Sequence, residues 1–127
     1  MKQFDSVLLI DNDPVFTYIT AELFRQSRYH FENLKTYTDS QAALEALEVM
    51  GKEDTLLIFL DVDMPLLDGW QFLEFLHVDT LNEKTEIYIL SSSKNQADRE
   101  RALSIGHVND YLAKPLTLDD LKLIYDE

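Results

Sequence analysis

Cysteine is absent from the 127 residues, which excludes disulfides, thiolate metal sites and a cysteine nucleophile. Glycine and proline are scarce, at 3 each, which argues against a linker or a disordered tail. Cations are few: 11 Lys and Arg against 24 Asp and Glu leave a formal net charge of -13. Such a charge repels a phosphate backbone or an anionic lipid surface, so direct nucleic-acid binding is not expected. Long apolar runs are missing as well. The longest, Leu56 to Leu60, has five residues, against the roughly 20 that span a bilayer. The N-terminus MKQFDSVLLID lacks the apolar core of a signal peptide. No membrane insertion and a cytoplasmic location are the expectations by elimination.

What is present suits one globular unit. The length is that of a single domain, and 46% hydrophobic residues supply enough side chain for its core. The rare breakers fall at boundaries. Pro14 follows Asp13 as a first-turn proline follows an N-cap, and Gly51 and Gly106 stand where a left-handed residue would close a helix. Between them, short apolar runs alternate with segments of helical spacing. Val7 to Ile10 predicts a strand, and Pro14 to Gln26, with Val15, Ile19 and Leu23 four apart, predicts a helix. A weaker strand over Leu34 to Tyr37 leads through Asp39 and Ser40 to a helix with Ala43, Leu47 and Met50 on one face. Leu56 to Leu60, Ile87 to Leu90 and Tyr111 to Ala113 are the remaining strands. Trp70 to Val78, Ala97 to Ile105 and a segment from about Thr117 are the remaining helices. In the third helix, Trp70, Phe72 and Phe75 are expected to pack. Strands alternating with helices call for crossovers, and continuous apolar runs mark strands covered on both faces. The fold class is therefore α/β, a five-stranded parallel sheet that is doubly wound.

In open sheets of this kind ligands bind outside the carboxyl ends of the strands. The first run ends at Asp11-Asn12-Asp13, the third at Asp61-Val62-Asp63, the fourth at Ser91-Ser92-Ser93 and the fifth at Lys114-Pro115. Carboxylates, a hydroxyl and an amine thus converge on one edge. Clustered carboxylates repel one another unless a cation joins them, and hard oxygen ligands without His or Cys suit Mg2+. His30, His77 and His107 share no ligand-like spacing. An acid, a hard metal, a lysine and a small hydroxyl are together what phosphoryl transfer through an aspartyl phosphate needs.

The stretches VLLIDND, LIFLDVDMPLLDGW, YILSSS and YLAKP resemble, in order, spacing and strand placement, the receiver (CheY-like) domain of two-component response regulators. The resemblance covers nearly the whole chain and implies the flavodoxin-like (βα)5 strand order 2-1-3-4-5. It implies Asp61 as phosphoacceptor, Ser91 as switch hydroxyl and Lys114 as the phosphoryl contact, with a cis peptide bond between Lys114 and Pro115. It implies Tyr111 as the switch aromatic. Mg2+ ligands would come from Asp11, Asn12, Asp61 and the backbone carbonyl of Asp63. The partners it implies are a sensor histidine kinase or phosphotransfer protein and a downstream effector met around Arg99 to Tyr111. The chain would be a signalling module that catalyses only its own phosphorylation and dephosphorylation.

Asn12 departs from this pattern, because the second acid of the metal-organising pair is expected there. An amide oxygen is a hard but uncharged ligand, so Mg2+ affinity should fall unless Asp13 or Asp11 compensates. Two other readings are open. One is a pseudo-receiver, a binding module of the same fold that phosphate does not regulate. The other is a haloacid-dehalogenase-like phosphohydrolase, suggested by DVDMP but opposed by the chain order of its acids. The chain ends at Glu127, after a last helix of only about two to three turns, so a single receiver domain over 1–127 without an output domain is expected.

Overall fold

The computed structural model describes residues 1–50, 52–64, 67–92 and 95–126. Five strands alternate with five helices: β1 (Phe4–Ile10), α1 (Pro14–Gln26), β2 (Phe31–Tyr37), α2 (Ser40–Met50), β3 (Leu56–Leu60), α3 (Gly69–Phe75), β4 (Glu86–Ser91), α4 (Gln96–Ser104), β5 (Asp110–Ala113) and α5 (Leu118–Tyr125). All pair in parallel, in the order β2-β1-β3-β4-β5.

Side chains alternate across a strand, so each run feeds two cores. Leu8, Ile10, Ile58, Leu60 and Ile89 face α2, α3 and α4 through Ala43, Leu47, Phe72, Leu73 and Ala102. Val7, Leu9, Phe59, Tyr88 and Leu90 face α1 and α5 through Ala21, Phe24, Leu121 and Tyr125. This two-sided burial is why β1, β3 and β4 appear in the sequence as unbroken apolar runs. The edge strand β2 begins at Phe31, three residues before its expected start, because only Phe31, Leu34 and Tyr37 of it are even half-buried.

Local chemistry sets most helix ends. Asp13 caps α1, accepting the N–H groups of Val15 and Phe16, with Pro14 in the first turn. Asp68 and Gln71 form a capping box on α3, and Thr117 and Asp120 form one on α5.

Four expectations are corrected. The stripe that signalled α1 faces outward: Val15 is 67% and Ile19 49% exposed, and Leu23 is only half-buried. Thr17, Thr20, Ala21 and Phe24 are buried instead. Small residues bring the helix close to the sheet, and the Thr17 hydroxyl satisfies itself on the carbonyls of Asp13 and Pro14. The third helix stops at Phe75, because Leu76 turns extended and is buried, and a separate 3-10 turn follows at Val78–Thr80. Within that helix Phe72 is fully buried, but Phe75 is 58% exposed and takes no part in the buried core. Gly106 does not have a left-handed backbone; α4 ends because Ile105 turns extended. Gly51, the other expected helix stop, lies outside the described residues.

Gly69 ties α3 to the site-bearing end of β3. Its N–H donates to the Val62 carbonyl at 3.2 Å, and a Cβ there would stand 2.6 Å from Val62 Cα and 2.8 Å from the Asp61 carbonyl oxygen. Backbone cannot yield as a side-chain tip can. Gly69→Ala is therefore expected to lower stability by about 1–3 kcal/mol in urea unfolding; an unchanged midpoint would show that α3 slides away freely.

Candidate functional site

The residues that end β1 and β3, together with the lysine just past β5, meet at the carboxyl edge of the sheet. Asp61 follows Leu60 directly, and its N–H donates to the Ile10 carbonyl at 2.9 Å, which sets the ends of β1 and β3 side by side. Asp11 is fixed in the same way on the other flank, its N–H donating to the Tyr37 carbonyl of β2. Lys114, beyond β5, donates its backbone N–H to the Ser91 carbonyl at 2.9 Å. Ordinary parallel pairing thus delivers residues about a hundred positions apart to one spot.

The side chains then interlock. The Lys114 ammonium donates to Asp11 Oδ2 at 2.7 Å and lies 3.4 Å from Asp61 Oδ2. The second oxygen of each acid is held by backbone. Asp11 Oδ1 accepts the Asp13 N–H at 2.9 Å, and Asp61 Oδ1 accepts the Asp63 N–H at 3.0 Å. All three charged side chains are largely withdrawn from water, with 13% of Lys114, 6% of Asp11 and 7% of Asp61 exposed. Among the described residues two anions share one cation here, which leaves one negative charge of the three in excess. The Asp11 carboxyl is raised above its ordinary range, foremost by burial of its charged form and further by the neighbouring Asp61 charge; its hydrogen bonds from Lys114 and Asp13 act the other way.

The other residues singled out from the sequence are more dispersed. Ser91 is fully buried as the last residue of β4. Asn12 and Asp63 are exposed on the loops beside the two acids. Asp13 is exposed too, but its Oδ1 is engaged in capping α1, so Asn12 and not Asp13 has its side chain free of the helix cap. Tyr111 is buried, and its carbonyl accepts from Arg99 Nη1 of α4 at 2.9 Å. The Lys114–Pro115 peptide bond is cis. Asp119 and Asp120 lie in the first turn of α5, where Asp120 accepts the Thr117 N–H.

The donors at this edge are oxygens only, a set suited to a hard divalent cation. The ammonium position already shows where one cation reaches both carboxylates. Among the described residues, no group of three or more His, Cys, Asp or Glu is placed to hold a metal ion; a third donor would be the amide oxygen of Asn12. Sequence reasoning missed Phe16, whose ring lies 4.3 Å from the Lys114 ammonium. The only available signal was an aromatic residue in the first turn after Asp13.

The family model for the response regulator receiver domain matches residues 7–126, and the chain belongs to that family. Receiver domains are signalling modules that work with histidine kinases or phosphotransfer proteins. Among its relatives is the probable methanogenesis regulatory protein FilR2 of Methanothrix harundinacea (strain 6Ac), 27% identical over 124 residues, which cover 95% of this chain and 79% of that one. Of other relatives the chain spans as little as 16%, so there the matched region is one part of a longer protein. The crystal structure of a two-component response regulator from Cytophaga hutchinsonii matches with a TM-score of 0.84 at 28% identity, covering 98% of this chain and 96% of that one. The Mn(2+)-bound form of the response regulator Rcp1 matches with a TM-score of 0.73 at 25% identity, over 94% and 88% of the two chains. No helix among the described residues is long and apolar enough to cross a membrane.

Charge balance at the site yields a paired prediction. An acid whose folded pKa is raised binds its proton more tightly in the folded state, so its support for folding is greatest at low pH and is lost as pH rises through the folded value. Asp11→Asn is therefore expected to raise the urea midpoint at pH 7, with the gain disappearing as pH falls below the ordinary carboxyl value of 3.8. Lys114→Met strips the one counter-charge that the described residues place against two buried acids and should lose about 3 kcal/mol at pH 7. An Asp11→Asn protein less stable than wild type at neutral pH would contradict this balance.

Proposed function

We propose that this chain accepts a phosphoryl group on Asp61 from a sensor histidine kinase or phosphotransfer protein, in a Mg2+-dependent reaction, and that the product switches binding of a downstream effector. The observation that carries the reading is the buried Lys114 ammonium standing between Asp11 and Asp61 at the carboxyl edge of the sheet. An Asp61 carboxylate oxygen attacks the phosphorus of a phosphohistidine. The new P–O bond forms as the P–N bond breaks, the imidazole leaves with the electron pair, and an acyl phosphate results. Lys114 is already within reach of Asp61 Oδ2 and takes up the negative charge of the arriving phosphoryl oxygens, with the Ser91 hydroxyl as a further donor.

Asp11, Asp61, the Asn12 amide oxygen and the Asp63 backbone carbonyl would hold Mg2+, which supplies further charge neutralisation on the phosphoryl group. The capping role of Asp13 favours Asn12 over it as the remaining side-chain ligand. The Mn(2+)-bound form of Rcp1 supports a divalent ion at a related fold.

The acyl phosphate carries about 1.5 to 2 negative charges where the carboxylate carried one, and drawing Lys114 towards it pulls on the backbone hydrogen bond that joins Lys114 to Ser91. Tyr111 lies three residues before Lys114 and is tied through Arg99 to α4, so the α4–β5 surface is the proposed output. Val15, Tyr18 and Ile19 stand exposed on α1 and offer a phosphodonor protein an apolar face beside the site. The helical, cap-forming placement of Asp119 and Asp120 disfavours the phosphohydrolase reading, which needs an acidic pair at a strand end.

Incubation with Mg2+ and acetyl phosphate followed by intact mass is expected to show one added phosphoryl group, absent from Asp61→Asn and without metal. Asn12→Asp, which restores a charged ligand, should lower the Mg2+ concentration for half-maximal labelling severalfold. A folded wild-type chain that gains no mass would instead favour the pseudo-receiver.

A further inference from the structure

The Lys114 ammonium has a third neighbour beyond the two acids. Its Nζ lies 4.3 Å from the centroid of the Phe16 ring, a cation–π contact. The fold builds this contact deliberately from α1: Phe16 occupies the first turn, where its N–H donates to Asp13 Oδ1 at 3.3 Å. Its ring also walls the small cavity behind Asp11 and Asp61, together with Thr17, Phe59 and Leu90. An ammonium carries three donors on a flexible stem. Here one makes a short bond to Asp11, another meets Asp61 at the looser distance of 3.4 Å, and the nitrogen also lies over an aromatic ring. A long flexible stem needs more than two carboxylate contacts to hold its tip in one place, and the ring is a further contact.

We propose that Phe16 is a positioning residue for phosphoryl transfer: the face of its ring holds the Lys114 ammonium between Asp11 and Asp61, where the phosphoryl oxygens arrive, and keeps water from competing for it. This rests on the reading of Asp61 as phosphoacceptor. An aliphatic side chain would fill the same space without the negative ring face, and that difference separates positioning from simple packing.

The test replaces Phe16 alone, in the full chain, by Tyr, by Leu and by progressively fluorinated phenylalanines, and measures the rate of phosphorylation by acetyl phosphate with Mg2+. Fluorine withdraws electron density from the ring face and barely changes its size. Phe16→Tyr should match wild type, Phe16→Leu should be about two- to tenfold slower, and the fluorinated series should slow stepwise with fluorine content. A fluorinated series as fast as wild type, or Tyr impaired as much as Leu, would overturn the proposal. Should the wild type take no phosphoryl group, the acceptor reading fails by itself. The contact is then judged by NMR: Lys114 Hε resonances shifted upfield by the ring in wild type and released in Phe16→Leu support it, and unshifted wild-type resonances overturn it.

Discussion

One lysine shared by two buried carboxylates is the constraint on which the rest of this structure turns. Lys114, Asp11 and Asp61 come from three different strand ends, and the two acids would be poorly tolerated at their degree of burial without the lysine. Because the acids outnumber the lysine, these described residues carry an excess of negative charge. That excess suits the site to a cation, and under the proposed function an arriving phosphoryl group and metal ion would rearrange these charges.

The surrounding fold is organised to hold that imbalance still. Backbone bonds from Asp61 to Ile10, from Asp11 to Tyr37 and from Lys114 to Ser91 set the three strand ends in register, while the N–H groups of Asp13 and Asp63 fix the outer carboxylate oxygens. Gly69 lets α3 approach the Asp61 carbonyl more closely than any side chain would permit. On the far side, Arg99 links α4 to the carbonyl of Tyr111, and α4 itself buries only Ala102. An element with so little apolar anchoring, tied by a polar latch to the strand that leads to Lys114, is well suited to move when the site changes.

Much of this was legible in the sequence, for physical reasons. Strands covered on both faces must be continuously apolar, so β1, β3 and β4 declared themselves, and the polar residues ending them marked the site. Asp13-Pro14 announced a helix start because capping and first-turn chemistry are local. What was less legible depends on tertiary context. The outward stripe of α1 resembled a core face because periodicity reports a helix without saying which side meets the sheet, and Thr17 and Thr20 do not look like core residues. The end of α3 has no breaker; Leu76 leaves the helix to reach the interior. The Phe16–Lys114 contact joins residues that no local motif relates.

The central claim, that Asp61 is the group activated by the shared lysine, is tested most directly by locating the label. After treatment with acetyl phosphate and Mg2+, borohydride converts an acyl phosphate to homoserine, and peptide sequencing by mass spectrometry reports its position. The account predicts homoserine at position 61 alone. Homoserine at 11, 13 or 63, or none anywhere in a folded, metal-supplied chain, would contradict it.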